Sequence, residues 1–153
     1  MADATGRSNI TGSTLKVREP LVVTAERIAN FCIAVGETNP LYVDPATAAA
    51  GLYRGIAPPA FVAAFRYADD VFESLPAFAR GGLMAGIDIE LRVPIRVGDS
   101  IRVSSELKET YEKTGRTGTM IFAVVRSTLT NQRGEVVAYV DHRMMNRAKN
   151  SNR

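Results

Sequence analysis

The chain has 153 residues, 46% of them hydrophobic and 23% charged, with one Cys, one His and no Trp. That length and balance predict one domain with a sizeable core and exclude disordered and fibrous classes. Nineteen basic against sixteen acidic residues leave a net charge of +3; the basic residues are dispersed and show no zinc-finger, helix-turn-helix or RNA-binding signature, which argues against a nucleic-acid partner.

Residues 1–14 are polar, lack the apolar core of an export signal and read as a flexible N-terminus. No run approaches the roughly 18 apolar residues of a membrane span. The lone Cys32 allows neither an internal disulfide nor a cysteine-based zinc site, so the expected location is the reducing cytoplasm. Residues 15–23 predict a first strand, part of it kept at an edge by Pro20. Thr24 is a helix N-cap, and Ile28, Phe31, Cys32 and Val35 form one apolar stripe that ends at Gly36. Cys32 on that stripe reads as a small buried hydrophobe rather than a nucleophile. Asp44, Pro45 and Gly51 are the cap, first position and stop of a short second helix. A third, longer helix is predicted after Pro58-Pro59, with Phe61, Val62, Phe65, Ala68, Phe72 and Leu75 on its apolar face.

From Gly81 the period changes to two. Ile87, Ile89, Leu91, Val93 and Ile95 alternate with polar residues and Pro94, which predicts a half-buried strand. Gly98-Asp99 is a turn signal, and Ile101, Val103, Ser105 and Leu107 resume the alternation. Two further strands, 119–130 and 135–146, are joined by a hairpin at 131–134, and residues 147–153 read as a flexible C-terminus. Helices followed by four strands in an antiparallel meander make an α+β fold. The basic C-terminal residues Arg143, Arg147, Lys149 and Arg153 are a solvated tail or a weak attraction for an anionic ligand such as a nucleotide-bearing coenzyme.

The stretch Ala34-Val35-Gly36-Glu37-Thr38-Asn39-Pro40-Leu41-Tyr42-Val43-Asp44, followed by a short Ala-rich segment, resembles the signature of the MaoC-like family of (R)-specific enoyl-thioester hydratases and dehydratases. There the stretch usually reads Gly-Asp-x-Asn-Pro-x-His-x-Asp. The turn Gly55-Ile56-Ala57-Pro58-Pro59 and the segment Arg96-Val97-Gly98-Asp99 also fit, so the likeness spans residues 15–146. It implies a single hot-dog fold, with a long central helix wrapped by a curved antiparallel sheet. It also implies pairing with a second hot-dog subunit, as homo- or heterodimer, and an acyl chain carried as a coenzyme A or acyl-carrier-protein thioester, with no further cofactor. By resemblance, Asn39, Tyr42, Ala57, Pro58, Pro59, Phe61 and Phe65 fall at substrate-binding positions, and the orientation of Phe61, Phe65, Tyr67 and Phe72 sets tunnel depth.

The departures matter as much as the matches. The family's catalytic Asp–His pair falls on Glu37 and Tyr42. The longer Glu displaces its carboxylate by over an ångström, by roughly one methylene, and a tyrosine, with an ordinary pKa of about 10, is a poor base at neutral pH. Pro58-Pro59 replaces the usual His-Gly at the head of the central helix, and proline has no N–H for an oxyanion. The expectation is a non-catalytic, acyl-thioester-binding subunit of a heteromeric hydratase or dehydratase, because one branch of the family pairs such a degenerate unit with a catalytic one. The alternatives are a stand-alone acyl-CoA-binding homodimer and a self-sufficient hydratase using Glu37. The only histidine, His142, lies in the last strand, where alternation does not place it inside or out. One His and one Cys leave only carboxylate sites for a metal, and none has a recognisable spacing.

Overall fold

A computed structural model describes residues 7–8, 16–48, 54–65, 70–73, 75, 77–78, 81–116 and 118–148. The expected stop at Gly51 and the side chains of Tyr67 and Ala68 lie outside them. Two short strands, β1 (Arg7–Ser8) and β2 (Lys16–Val17), precede β3 (Leu21–Val22), and all three lie against the same long strand. The first strand expected over 15–23 is thus split, and the break falls at Arg18–Pro20, where proline removes a ladder donor. Helix α1 (Ala25–Val35) begins where the Thr24 hydroxyl accepts from the Arg27 N–H (3.2 Å) and ends at Gly36, whose φ of 68° is left-handed. Its stripe buries Ile28 and Cys32. Burial, reinforced by the Glu37 carboxylate, pushes the Cys32 thiol pKa up. A thiol reagent is therefore expected to label Cys32 only at the rate of unfolding, and rapid labelling of the native chain would contradict this burial.

Two four-residue helices follow, α2 (Pro40–Val43) and α3 (Pro45–Ala48). The long helix expected after Pro58 is a 3₁₀ helix, Pro59–Ala64, that stops at Phe65, which is extended, and a separate α4 (Asp70–Glu73). The apolar face read as one stripe serves two cores. Phe61, Val62 and Phe65 join Ile28, Cys32, Ile101, Leu129 and Val140, whereas Val71, Phe72 and Phe78 join Ala123 and Val125. Spacing alone reported an apolar face but not the change of target halfway along it.

The sheet is antiparallel, with β5 (Ser100–Gly115), β6 (Gly118–Thr130) and β7 (Val136–Arg147) paired in sequence. The β6–β7 hairpin is as expected: the Asn131 side-chain oxygen accepts from the N–H groups of Arg133 (3.0 Å) and Glu135 (3.1 Å). The fourth strand corrects the meander. β4 (Leu83–Leu91) pairs with β7, on the far side of the sheet from β5. Its alternating run continues in sequence past Leu91, but the strand ends there. The next segment crosses to β5, passing Pro94 and an isolated bridge between Ile56 and Arg96. β4 is an edge strand, and Ile87, Ile89 and Leu91 remain 44–47% exposed where a half-buried strand was expected. Across the other three strands, Asp141 of β7 accepts from Arg126 Nε (2.7 Å) and Nη2 (2.9 Å) on β6 and from Lys108 Nζ (2.6 Å) on β5.

Candidate functional site

The segment after α1 is built by its own side chains. Glu37 Oε1 accepts from the N–H groups of both Thr38 and Asn39 at 2.9 Å. Asn39 in turn caps α2: its Oδ1 accepts from the Leu41 N–H (3.0 Å), and its carbonyl accepts from the Tyr42 N–H (2.9 Å). Pro40 supplies the preset φ of a first helical residue. Glu37 therefore orders Asn39, Asn39 orders α2, and α2 delivers Tyr42. Beyond it, Asp44 accepts from the Thr47 N–H (2.9 Å) and hydroxyl, which holds its carboxyl below the ordinary range.

Tyr42 faces a cavity of about 230 Å³ whose wall also holds Ile56, Ala57, Pro58, Pro59, Val62, Leu91, Arg92, Val93, Pro94 and Ile95. The wall is almost wholly apolar. Arg92 is its one charged residue, and its guanidinium is held by the Glu90 carboxylate and lies 5.8 Å from the Tyr139 ring centre. The backbone offers little to a developing negative charge on this side. The Ala57 N–H is committed to the Ile95 carbonyl (2.8 Å), and Pro58 and Pro59 have no N–H.

Of the residues singled out by sequence, Tyr42, Ala57, Pro58 and Pro59 meet at this cavity. Glu37 and Asn39 stand in the supporting loop. Phe61 and Phe65 lie 2% and 4% exposed in the core, edge-to-face with each other at 5.6 Å; Val62, between them in sequence, is the residue that reaches the wall. Sequence reading missed Ile56, Leu91, Val93 and Ile95 as lining residues. The alternation of Leu91, Val93 and Ile95 carries part of the signal, since it predicts the apolar face of a half-buried strand, whereas Ile56 lies in a turn with no such pattern. His142 is buried on β7 between Val125 and Ile87 in the ladder and does not line the cavity; burial pushes its pKa down. Among the described residues no group of three metal-ligating side chains occurs, and no helix is long and apolar enough to cross a membrane.

A family model for the FAS1-like dehydratase domain region matches residues 9–140 of the chain. A UPF0336 protein of Streptomyces avermitilis is 30% identical over 142 residues, which is 90% of this chain and 92% of that one. The ChsH1-ChsH2 complex of Mycobacterium tuberculosis superposes with a TM-score of 0.68 at 24% identity, over 92% of this chain and 88% of that one. The C-terminally truncated HadBC (3R-hydroxyacyl-ACP dehydratase) complex of the same organism gives 0.70 at 22% identity, over 87% and 95%. The shared fold is the hot-dog of MaoC-like dehydratases and (R)-hydratases, as residues 34–44 led one to expect.

Proposed function

The chain belongs to the family of the FAS1-like dehydratase domain region, and from that premise we propose that it is the acyl-thioester-binding, non-catalytic subunit of a heteromeric 3-hydroxyacyl dehydratase or (R)-specific enoyl-thioester hydratase. The observation that carries the reading is the engagement of Glu37. One oxygen of the carboxylate at the family's acid–base position, Glu37 Oε1, accepts from two backbone N–H groups of its own loop and so fixes the side chain there, and the residue at the histidine position is Tyr42. General acid–base catalysis in this family pairs that carboxylate with an imidazole, and a phenol in its place removes the imidazole's proton-transfer chemistry. The cavity in front of Tyr42 has the apolar wall an acyl chain requires, with Ala57, Pro58 and Pro59 contributing to it and Phe61 and Phe65 backing it. Addition or loss of water across the α,β-double bond of a coenzyme A or carrier-protein thioester calls for no further cofactor.

The partner in this proposal is a second hot-dog subunit carrying the Asp–His pair. Support comes from β4, a sheet edge with exposed Ile87, Ile89 and Leu91, the kind of edge that a folded chain covers by pairing. Two of the structural relatives are themselves complexes. A second copy of this chain on the same edge would instead make a homodimer, and native mass of the purified protein separates the two.

The test is turnover. The chain alone is expected not to hydrate crotonyl-CoA, and co-expression with the catalytic partner restores activity. Glu37→Gln keeps an oxygen acceptor for the two loop N–H groups, so the complex is expected to retain its rate within about twofold. A catalytic carboxylate would cost on the order of 10²-fold or more. Enzyme-like turnover by the chain alone, abolished by Glu37→Gln, would overturn the proposal in favour of a self-sufficient hydratase.

A further inference from the structure

We propose that Asp99 is a positioning residue for the cavity: its carboxylate ties the wall segment that follows β4 to the tip of the β6–β7 hairpin, so that residues off the cavity wall set how that wall stands. The consequence for ligands rests on the acyl-thioester reading above, whereas the positioning rests on hydrogen bonds alone. The Arg92 and Val93 N–H groups both donate to the Val137 carbonyl of β7 (2.9 and 3.3 Å), and from there the segment leaves the sheet. Its next partner is the turn before Pro58. The Ala57 N–H donates to the Ile95 carbonyl (2.8 Å), and the Val97 N–H donates to the Gly55 carbonyl (2.7 Å). Gly55 has a φ of 63°, and a Cβ there would stand 3.4 Å from that of Val97, so the two segments lie close against each other. Together they form most of the cavity wall, yet neither residues 92–97 nor the turn belong to a strand of the sheet.

Asp99 supplies the missing anchor. It follows Gly98, whose φ of 90° makes the turn, and it is 3% exposed. Its Oδ2 accepts from the Arg96 N–H (2.8 Å), inside the wall segment. Its Oδ1 accepts from Gln132 Nε2 (3.1 Å) and Arg133 Nη1 (3.3 Å), at the hairpin tip. The tip is itself held in shape, because Glu135 accepts from Arg133 Nε (2.7 Å) and from Asn131 Nδ2 (2.7 Å). Gln132 Oε1 accepts in turn from the Ser100 N–H (2.9 Å), at the start of β5. A carboxylate this buried is costly unless its oxygens are satisfied, and here acceptors are needed at both ends. A carboxylate has two acceptor oxygens, whereas an amide has one and would turn a donor towards the other arm. An asparagine could hold the turn or the hairpin, but not both.

The experiment is residue-resolved amide hydrogen exchange on the full chain, with calorimetric titration of octanoyl-CoA, for the native protein, Asp99→Asn and the double variant Gln132→Ala/Arg133→Ala. The double variant cuts the same tie from its exposed side, so the test stands even where Asp99→Asn does not fold. Exchange at the Ala57 and Val97 amides is expected to rise about tenfold, the effect of losing one hydrogen bond to a charged group, while exchange in β6, at the centre of the sheet, stays unchanged. Octanoyl-CoA binding is expected to weaken about fivefold, the lower end of coupling between linked sites. An Asp99 that only stabilised the fold would speed exchange throughout the sheet and leave the affinity of the folded chain as it was. Unchanged exchange at Ala57 and Val97, acceleration that includes β6 equally, or an unaltered affinity beside faster exchange would each overturn the assignment. If the native chain binds no octanoyl-CoA, the acyl-thioester reading falls, and the exchange rates by themselves uphold or overturn the positioning role.

Discussion

Phe61→Ala is expected to cost about 3–5 kcal/mol of stability, a drop in melting temperature on the order of 10 °C for a chain of this size. The side chain is 2% exposed and packs edge-to-face against both Phe31, at 5.4 Å, and Phe65, at 5.6 Å. It thereby joins α1 to the 3₁₀ helix and to the sheet residues Ile101, Leu129 and Val140. Removing it opens a void with aromatic walls on two sides, and neither neighbour can close it without leaving its own contact. Thermal unfolding followed by circular dichroism measures the loss. Val62→Ala makes the informative control, because Val62 borders the cavity: it should cost less stability and change acyl affinity more. A Phe61→Ala protein with unchanged stability would show that the core described here is not where the fold gains its free energy.

Acid is the second large lever, and Asp141 is where it acts. Burial raises its pKa, but the hydrogen bonds and charges of Arg126 and Lys108 outweigh burial and leave the carboxyl below its ordinary value. A folded-state pKa below the unfolded one means that the unfolded chain binds the proton first. The stabilisation is therefore complete above about pH 4 and is lost as pH falls through the folded value. His142 acts in the same direction at a higher pH. Burial lowers its pKa, opposed by the neighbouring Asp141 charge. The unfolded state thus takes up a proton below about pH 6.5 while the folded state does not, and stability begins to fall there. Melting temperature against pH should show two declines as pH falls, the upper absent in His142→Leu and the lower absent in Asp141→Asn. Asp141→Ala leaves Arg126 and Lys108 facing each other across the strands. It should cost about 2–3 kcal/mol at neutral pH, below the value for a fully buried pair because both cations are partly solvated. A melting temperature flat from pH 7 to pH 3 would contradict both assignments.

Much of the fold was legible because its signals are local. Thr24 and Gly36 bound α1 through one hydroxyl and one left-handed backbone position, and both act within four residues of themselves. The 131–134 turn closes on the Asn131 side chain in the same way. The loop from Glu37 to Asp44 could be recognised from its residue order, since that order is what makes the Asn39 cap and the Pro40 start. What spacing could not report was partnership. The alternation from Ile87 to Ile95 predicts a strand and its two faces, but β4 joins β7 rather than β5, because the neighbour of a strand depends on where its connection leads. The apolar face after Pro58 was read as one helix, and Phe65 breaks it so that its two halves reach different cores.

The site divides along the same line. Sequence alone determined that Glu37 and Tyr42 stand where the resemblance expects an acid–base pair, and that Pro58 and Pro59 have no N–H groups, because residue identity decides which groups exist. Only the tertiary structure decided what those groups do. It placed the Glu37 carboxylate on the Thr38 and Asn39 N–H groups, put Phe61 and Phe65 in the core, and brought Leu91, Val93 and Ile95 to the same cavity wall as Tyr42. It also put the only histidine, the residue a composition would nominate for chemistry, inside the sheet and off the cavity wall. The physical reason is common to all four. A side chain's chemistry is intrinsic, whereas its accessibility and its hydrogen-bond partners depend on segments that meet only when the chain has folded.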